Sequence, residues 1–165
     1  MGAIAIGPEA KDRSGDMQSK TFVCKDNPAN ASGKITTIEI WPYYAALENC
    51  KVATFHVIEG NILSTRDYVT LNAVPPGSKS TITEDKDGNP ISLDVEEGDY
   101  IGIYFSDGRL EEDSAGFAGY WYTAPDQDLI PCTEHEFLWW ANGALSLHGI
   151  GAELAAGGSR GYIIG

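Results

Sequence analysis

Three cysteines are the most reactive side chains in the sequence, and their number limits the chemistry that they can perform. Cys24, Cys50 and Cys132 cannot all pair within one chain. A Cys24–Cys50 disulfide would close a loop of about 27 residues and stabilise the fold by roughly 3–4 kcal/mol in the chain-entropy model. Cys132 and His135 have the spacing of two zinc ligands, but the second closely spaced pair that a zinc site needs is missing. Three small buried thiols are the simplest interpretation, and the Cys24–Cys50 disulfide is the alternative.

Oxygen ligands for calcium are plentiful because the chain is acidic. Asp85, Asp87 and Asn89 resemble part of a calcium loop, although Gly88 comes too early for an EF-hand and no glutamate closes the loop. Further acidic clusters occur at Asp12 with Asp16 and at 111–113, and the sequence places them on loops. Solvated turn residues are the simpler interpretation. No cofactor is expected, and calcium is the one candidate that stays open.

Catalytic arrangements do not emerge from the sequence. Residues 157–161 match the G-x-S-x-G pattern of a hydrolase elbow, but no histidine follows Ser159, as that mechanism requires. Carboxylate pairs are numerous without any one standing out. We therefore expect a protein that is not an enzyme, with a glycoside-active domain as the weaker alternative.

Aromatic residues in adjacent pairs are the most informative feature for binding. The predicted platform consists of Trp121, Tyr122, Trp139, Trp140 and Tyr104. Neighbours in a strand point to opposite faces, so only one member of each adjacent pair can enter a core. The other member would offer a flat surface for a sugar ring or another protein, unless a loop covers it.

Composition restricts the partners. The chain has 165 residues, with 24 acidic and 11 basic side chains and a net charge of −13. Such a surface repels phosphate backbones and anionic lipids, so nucleic acid is not an expected partner. No apolar run approaches the roughly 20 residues of a membrane-spanning helix, so no membrane insertion is expected. The first residues lack the basic and long apolar regions of a signal peptide.

Strand patterns recur along the chain while helical patterns are nearly absent. The most regular strand, at 100–105, directs Ile101, Ile103 and Phe105 to one face and Tyr100 and Tyr104 to the other. Turn sequences rich in Gly, Pro, Asn and Asp separate roughly ten short strands, which predicts an all-β, antiparallel, jelly-roll-like β-sandwich with little or no helix. We expect one domain over 1–150 and a flexible tail over 151–165.

Several stretches resemble an uncharacterised β-rich module of phage and metagenomic structural or surface proteins. The resemblance rests on 25–33, 38–40, 52–55, 64–67, 98–104 and 130–133. It covers about 6–149, most of the chain, and leaves the tail outside. The resemblance implies a structural or surface component, and it supplies no catalytic residues.

These observations together predict a non-catalytic structural protein on a virion or an extracellular surface. Its partners would be further copies of itself or other virion or filament proteins, as in a phage decoration, a fibre or a filament. Short apolar segments near both ends could add as strands to a neighbour's sheet. The residues expected to do so are Ile4, Ile6, Tyr162, Ile163 and Ile164. The alternative is a carbohydrate-binding module that uses the aromatic platform to hold a glycan.

Overall fold

A computed structural model describes residues 2–154, which form antiparallel β-sheets and no helix. Fifteen strands follow one another along this part of the chain. In chain order they are β1 (Ala3–Ile6), β2 (Gly15–Gln18), β3 (Thr21–Cys24), β4 (Gly33–Ile40), β5 (Lys51–Glu59), β6 (Ile62–Thr70), β7 (Ser80–Ile82), β8 (Leu93–Val95), β9 (Tyr100–Tyr104), β10 (Arg109–Asp113), β11 (Tyr120–Tyr122), β12 (His135–Glu136), β13 (Leu138–Trp140), β14 (Ala144–Leu145) and β15 (Leu147–Glu153).

The strands belong to three sheets. The first has the order β1-β15-β4-β7, with β8 also paired to β4, and the second has the order β14-β10-β2. The third and largest has the order β12-β6-β5-β9-β3-β11-β13. β1 pairs with β15 from Ala3 with Ala152 to Ile6 with Gly149. Two strands from near opposite ends of the described chain are therefore neighbours at one edge of the first sheet.

The seven-stranded sheet curls back on itself. Its two edge strands, β12 and β13, are separated in the chain only by Phe137. β12 pairs with β6 at one edge, and β13 pairs with β11 at the other. One short stretch of chain therefore lies at both edges of the sheet, which gives the sheet a nearly closed, barrel-like form.

This curvature gives the sheet a hydrophobic core on each face. The main core combines side chains of the first sheet, such as Ile35 and Ile38, with Phe22, Ile101 and Ile103 of the curled sheet. A second core lies on the concave side and consists of Val23, Ala53, Phe55, Leu63, Tyr104, Trp121, Ile130 and Phe137. Both faces of the central strands are consequently buried, and the strand at 100–105 lies at the centre of the molecule, as its pattern predicts.

The all-β antiparallel prediction is confirmed, while the jelly-roll-like sandwich stays a prediction. The expected end of the folded domain at residue 150 is wrong, because β15 continues to Glu153. Glu153 pairs with Gly33, and its side-chain oxygen Oε2 accepts a hydrogen bond of 2.6 Å from the backbone nitrogen of Gly2. Residues 151–153 therefore belong to the sheet.

Candidate functional site

Strand β13 is an apolar edge exposed to solvent. Leu138, Trp139 and Trp140 are 56%, 53% and 47% exposed, which is unusual for three consecutive large apolar side chains. Among residues 2–154, β13 has β11 as its only strand partner, so its other side is a free sheet edge. A free edge with apolar side chains is a site for pairing with another strand.

The hydrogen bonds of β11 show which backbone groups of β13 are free. The Thr123 N–H donates to the Thr21 carbonyl, and the Lys25 N–H donates to the Gly119 carbonyl. Hydrogen-bonded and non-hydrogen-bonded pairs alternate in an antiparallel ladder, so Trp121 bonds to β3 while its neighbours bond to β13. Leu138 and Trp140 are the residues opposite those neighbours. The N–H and C=O of Trp139 therefore point away from the sheet.

Strand β1 is also an edge of its sheet, but its edge is closed. The Ala5 N–H donates to Oδ1 of Asn30 at 2.9 Å, and Nδ2 of Asn30 donates to the Ala3 carbonyl at 3.1 Å. The Gly7 N–H donates to the Asn27 carbonyl at 2.8 Å. The loop that contains Asn27 and Asn30 thus takes the place of a neighbouring strand.

Ile4 and Ile6 consequently do not form an assembly strand, and that prediction is wrong. Their side chains are 1% and 0% exposed and belong to the main core, while their backbone pairs with β15. A short apolar segment set off by glycine suggested a free strand, because its partner β15 lies near the other end of the described chain and leaves no local signal in the sequence. Tyr162, Ile163 and Ile164, the other predicted assembly residues, lie outside the described residues.

The predicted aromatic platform does not exist as one surface. Tyr104 and Trp121 are buried in the second core, at 8% and 5% exposure. Trp139 lies opposite Trp121 and shares its face of the sheet, whereas Trp140 lies opposite the main-core residue Tyr120. Tyr122 is half-buried against the main core. The two exposed tryptophans therefore point to opposite faces of one strand.

Lys25 connects the two tryptophans that share a face. Its Nζ lies 4.6 Å from the ring centre of Trp121 and 5.4 Å from that of Trp139, within the range of cation–π interactions. Partial burial of this ammonium lowers the pKa of Lys25. The indole nitrogen of Trp121 donates to Oδ1 of Asn61 at 2.9 Å, so the ring of Trp121 is fixed from two sides.

A cleft of about 490 Å³ opens beside Trp121 at one end of the curled sheet. Tyr100 and Trp121 form an aromatic wall, with ring centres 5.0 Å apart and planes at 77°. Arg66 lies at the cleft and binds Asp99 through two hydrogen bonds, of 2.5 Å from Nε and 3.0 Å from Nη2. Asp99 is only 3% exposed, so this two-pronged contact supplies the partner that a buried carboxylate requires.

His56 lines the same cleft, and the sequence pattern gives it no special role. Its Nδ1 atom is buried and has no hydrogen-bond partner within the described part of the chain, whereas most buried polar atoms have one. The register between β5 and β6 shifts on both sides of this residue, between Thr54 and Phe55 and between Val57 and Glu59. Such bulges redirect side chains and are common beside functional sites. They depend on pairing with β6, so β5 alone could not have shown them.

The residues predicted to bind calcium form a tight turn. Oδ1 of Asp85 accepts hydrogen bonds from the backbone nitrogens of Asp87 and Asn89, at 2.8 and 3.0 Å. The Asp85 carboxylate therefore has the ordinary function of an aspartate in a turn. Residues 2–154 contain no group of three or more His, Cys, Asp or Glu side chains placed to hold a metal ion. Calcium at Asp85, Asp87 and Asn89 stays a prediction.

All three cysteines are free thiols, so the alternative with a Cys24–Cys50 disulfide is wrong and the simpler interpretation holds for these two residues. Both are fully buried in the main core, where each has apolar neighbours. Burial raises the pKa of the Cys24 thiol to about 12 and raises that of Cys50 as well. Neither thiol is reactive at neutral pH. Cys132 is half-buried rather than buried, and burial raises its pKa too.

The acidic cluster at 111–113 lies in strand β10 and not on a loop, which corrects another expectation. Glu111 and Glu112 are buried at 2% and 3% exposure. Oε1 of Glu111 accepts a hydrogen bond of 2.8 Å from the Arg13 backbone nitrogen, and Oε2 of Glu112 accepts one of 2.8 Å from the Tyr120 hydroxyl. Glu111 therefore holds the segment before β2 and Glu112 connects β10 to β11, so these two buried carboxylates are not available as a surface cation site.

Comparison with known proteins finds no match to a family model, a curated protein or a solved structure. The part of the chain described by the structure contains no helix long and apolar enough to cross a membrane. The free edge of β13 and the cleft beside Trp121 are the features of the described structure that bear on function.

Proposed function

We propose that the protein is a non-catalytic structural protein that assembles with further copies of itself through the free edge of β13. The observation that carries this proposal is the outward-pointing backbone of Trp139 within three exposed apolar residues. The setting that we propose, a virion or an extracellular filament surface, follows from the resemblance to phage and metagenomic structural modules.

A second copy of β13 is a fitting partner for this edge. A partner strand must be apolar on both faces, because Leu138 and Trp140 lie on one face and Trp139 on the other. Antiparallel pairing centred on Trp139 meets this condition. It places Leu138 opposite Trp140 of the second copy and lets the two Trp139 residues exchange their N–H···O=C bonds. Both copies use the same strand in this contact and are related by a twofold axis. The interface is therefore isologous and closes as a dimer.

The affinity of this dimer should depend on the salt concentration, because both copies are strongly acidic. Each copy carries a net charge of −13, so two copies repel at low ionic strength. The Debye length falls from about 30 Å at 0.01 M salt to about 8 Å at 0.15 M, which screens that repulsion. Association through an apolar edge should therefore strengthen as salt is added.

Sedimentation of a charged variant tests the proposal. Leu138→Glu places a carboxylate in the apolar contact, and Leu154→Glu makes the same change at a residue that is 59% exposed and lies at the far end of the first sheet. We expect the unaltered chain and Leu154→Glu to dimerise with equal affinity, and Leu138→Glu to remain a monomer with an unchanged melting temperature. A monomeric unaltered chain at every concentration and salt, or a Leu138→Glu variant that dimerises normally, would refute the proposal.

A further inference from the structure

The cleft beside Trp121 has the chemical composition of a sugar-binding site. Its volume of about 490 Å³ is within the range of small-ligand pockets. The half-buried ring of Tyr100 offers apolar surface against which the C–H face of a sugar ring can pack, and the buried ring of Trp121 supports it from behind. Asn61 and Lys25 hold the Trp121 ring in place, so little conformational freedom is lost when a ligand binds.

Polar groups at the cleft match the hydroxyl groups of a sugar. Asp99 already accepts hydrogen bonds from Arg66 and from the backbone nitrogen of Glu96, so its orientation is fixed before any ligand arrives. Nη1 of Arg66 has only a 3.2 Å contact with the exposed Glu96 carboxylate, and a ligand could replace that contact. Nδ1 of His56 has no hydrogen-bond partner among residues 2–154. A hydroxyl group can donate to one of these groups and accept from another.

The charge of the cleft restricts the class of sugar. Glu96, Glu97 and Asp99 contribute three carboxylates, and Arg66 contributes one guanidinium, which leaves an excess of two negative charges. The rest of the molecule adds to this negative potential. Uronic acids, sialic acids and sulfated sugars are therefore disfavoured.

We infer that this cleft binds an uncharged oligosaccharide, with Tyr100, held by the buried Trp121, packing against a sugar ring and His56 and Arg66 hydrogen-bonding to its hydroxyl groups. This inference differs from the predicted platform, since it uses neither exposed tryptophan. It is also independent of assembly, because the cleft does not include β13.

An NMR titration of the full chain tests the inference. The probes are cellotetraose, xylotetraose, mannotetraose and chitotetraose as uncharged sugars, and tetragalacturonate as the anionic one. We expect at least one uncharged probe to shift the amide resonances of His56, Tyr100 and Trp121, and tetragalacturonate to shift none. Shifts confined to other parts of the chain, no binding of any uncharged probe, or binding of tetragalacturonate alone would overturn the inference.

Two variants connect that binding to the cleft. His56→Leu removes the unpartnered nitrogen, and we expect binding to weaken about tenfold, the effect of one lost hydrogen bond. Tyr100→Ala removes one aromatic ring and should weaken binding by a similar factor or more, whereas Tyr44→Ala, at a tyrosine that is 66% exposed outside the cleft, should leave it unchanged. Equal affinity in His56→Leu and in Tyr100→Ala would overturn the inference. The dimer affinity of these variants should match that of the unaltered chain, so this result is separable from the assembly proposal.

Discussion

Gly102 of β9 lies directly against the ring of Phe55 of β5. A Cβ atom at position 102 would be 2.5 Å from Cε1 of Phe55 and 2.7 Å from the carbonyl oxygen of Phe22. The ring of Phe55 also packs edge-on against Phe137, with ring centres 6.1 Å apart. Gly102 lies between Tyr100 and Tyr104 on one face of the strand, so the sequence predicts room there for a neighbouring aromatic ring or backbone, and the structure places both at this position. The second core depends on this missing side chain.

Gly102→Ala should therefore destabilise the protein although alanine is an ordinary strand residue. The new methyl group meets a packed ring and a backbone oxygen, and neither can move without disturbing its neighbours. Overpacking of this kind costs about 1–3 kcal/mol. Urea unfolding measures the effect as a lower midpoint. An unchanged midpoint would show that the second core is loosely packed.

Ile103 is the best test of the main core. Its side chain is fully buried, so Ile103→Ala should cost about 2–5 kcal/mol, a large part of the stability of a typical domain. The same change at Ile163, outside the described residues, should alter the free energy of unfolding by no more than about 0.5 kcal/mol if that residue serves assembly. Equal losses at the two positions would show that Ile163 belongs to the folded core.

Local alternation was enough to predict the central strands. Ile101, Ile103 and Phe105 face the main core, as predicted from their positions at every second residue of the strand. The pattern could not show that the opposite face, with Ala53 and Phe55, is buried as well. That burial arises only when the sheet curls and Phe137 arrives from a distant part of the chain.

Strand β10 shows why the remaining elements escaped prediction. Four of its five residues are charged, so nothing in its composition suggests a buried strand. Its carboxylates are stable there because Arg13, about 100 residues earlier, and Tyr120 supply hydrogen bonds. The candidate site likewise combines residues that are distant in the sequence. They are His56, Arg66, Asp99 and Trp121. Long-range pairing of this kind has no counterpart in a local pattern.

Asn30→Ala should open the edge of β1. The substitution removes the two hydrogen bonds that join the Asn30 side chain to Ala3 and Ala5, which costs about 1–2 kcal/mol. It also leaves a backbone donor and acceptor free on an edge strand, so the variant should associate more readily as its concentration rises. Light scattering measures this association. Asn72→Ala, at another exposed asparagine, is the control and should behave like the unaltered chain.

Asp113 should contribute stability that depends on pH. Burial alone would raise the pKa of this carboxyl, but hydrogen bonds from the backbone and hydroxyl of Ser14 and from Arg13 outweigh burial and lower the pKa. A lowered folded-state pKa means that the stability is present above the unfolded value of about 3.9 and disappears as the pH falls through the lower folded value.

Asp113→Asn should accordingly lose about 1–3 kcal/mol at pH 7, the contribution of hydrogen bonds to a charged group. The difference from the unaltered chain should shrink as the pH falls below about 4. Burial raises the pKa of the neighbouring Glu111, so Glu111→Gln should show the opposite trend and be least harmful at neutral pH. Urea midpoints of the three proteins at pH 7, 4 and 2.5 measure these differences. A loss in Asp113→Asn that is the same at all three pH values would mean that the ionised form of Asp113 contributes nothing.

Deleting residues 157–165 tests the predicted assembly role of Tyr162, Ile163 and Ile164. Within the part of the chain that the structure describes, the last strand ends at Glu153, and the deletion leaves that part intact, so we expect the truncated chain to keep its melting temperature. The deletion removes one positive charge, Arg160, and so makes the net charge more negative by one unit. Arg160→Gln makes the same charge change while it keeps the apolar segment. We expect the deletion to weaken the assembly seen by sedimentation, and Arg160→Gln to leave it nearly unchanged at 0.15 M salt, where screening is strong. If the two variants weaken assembly equally, the charge of Arg160 explains the effect and the apolar segment has no role in the contact.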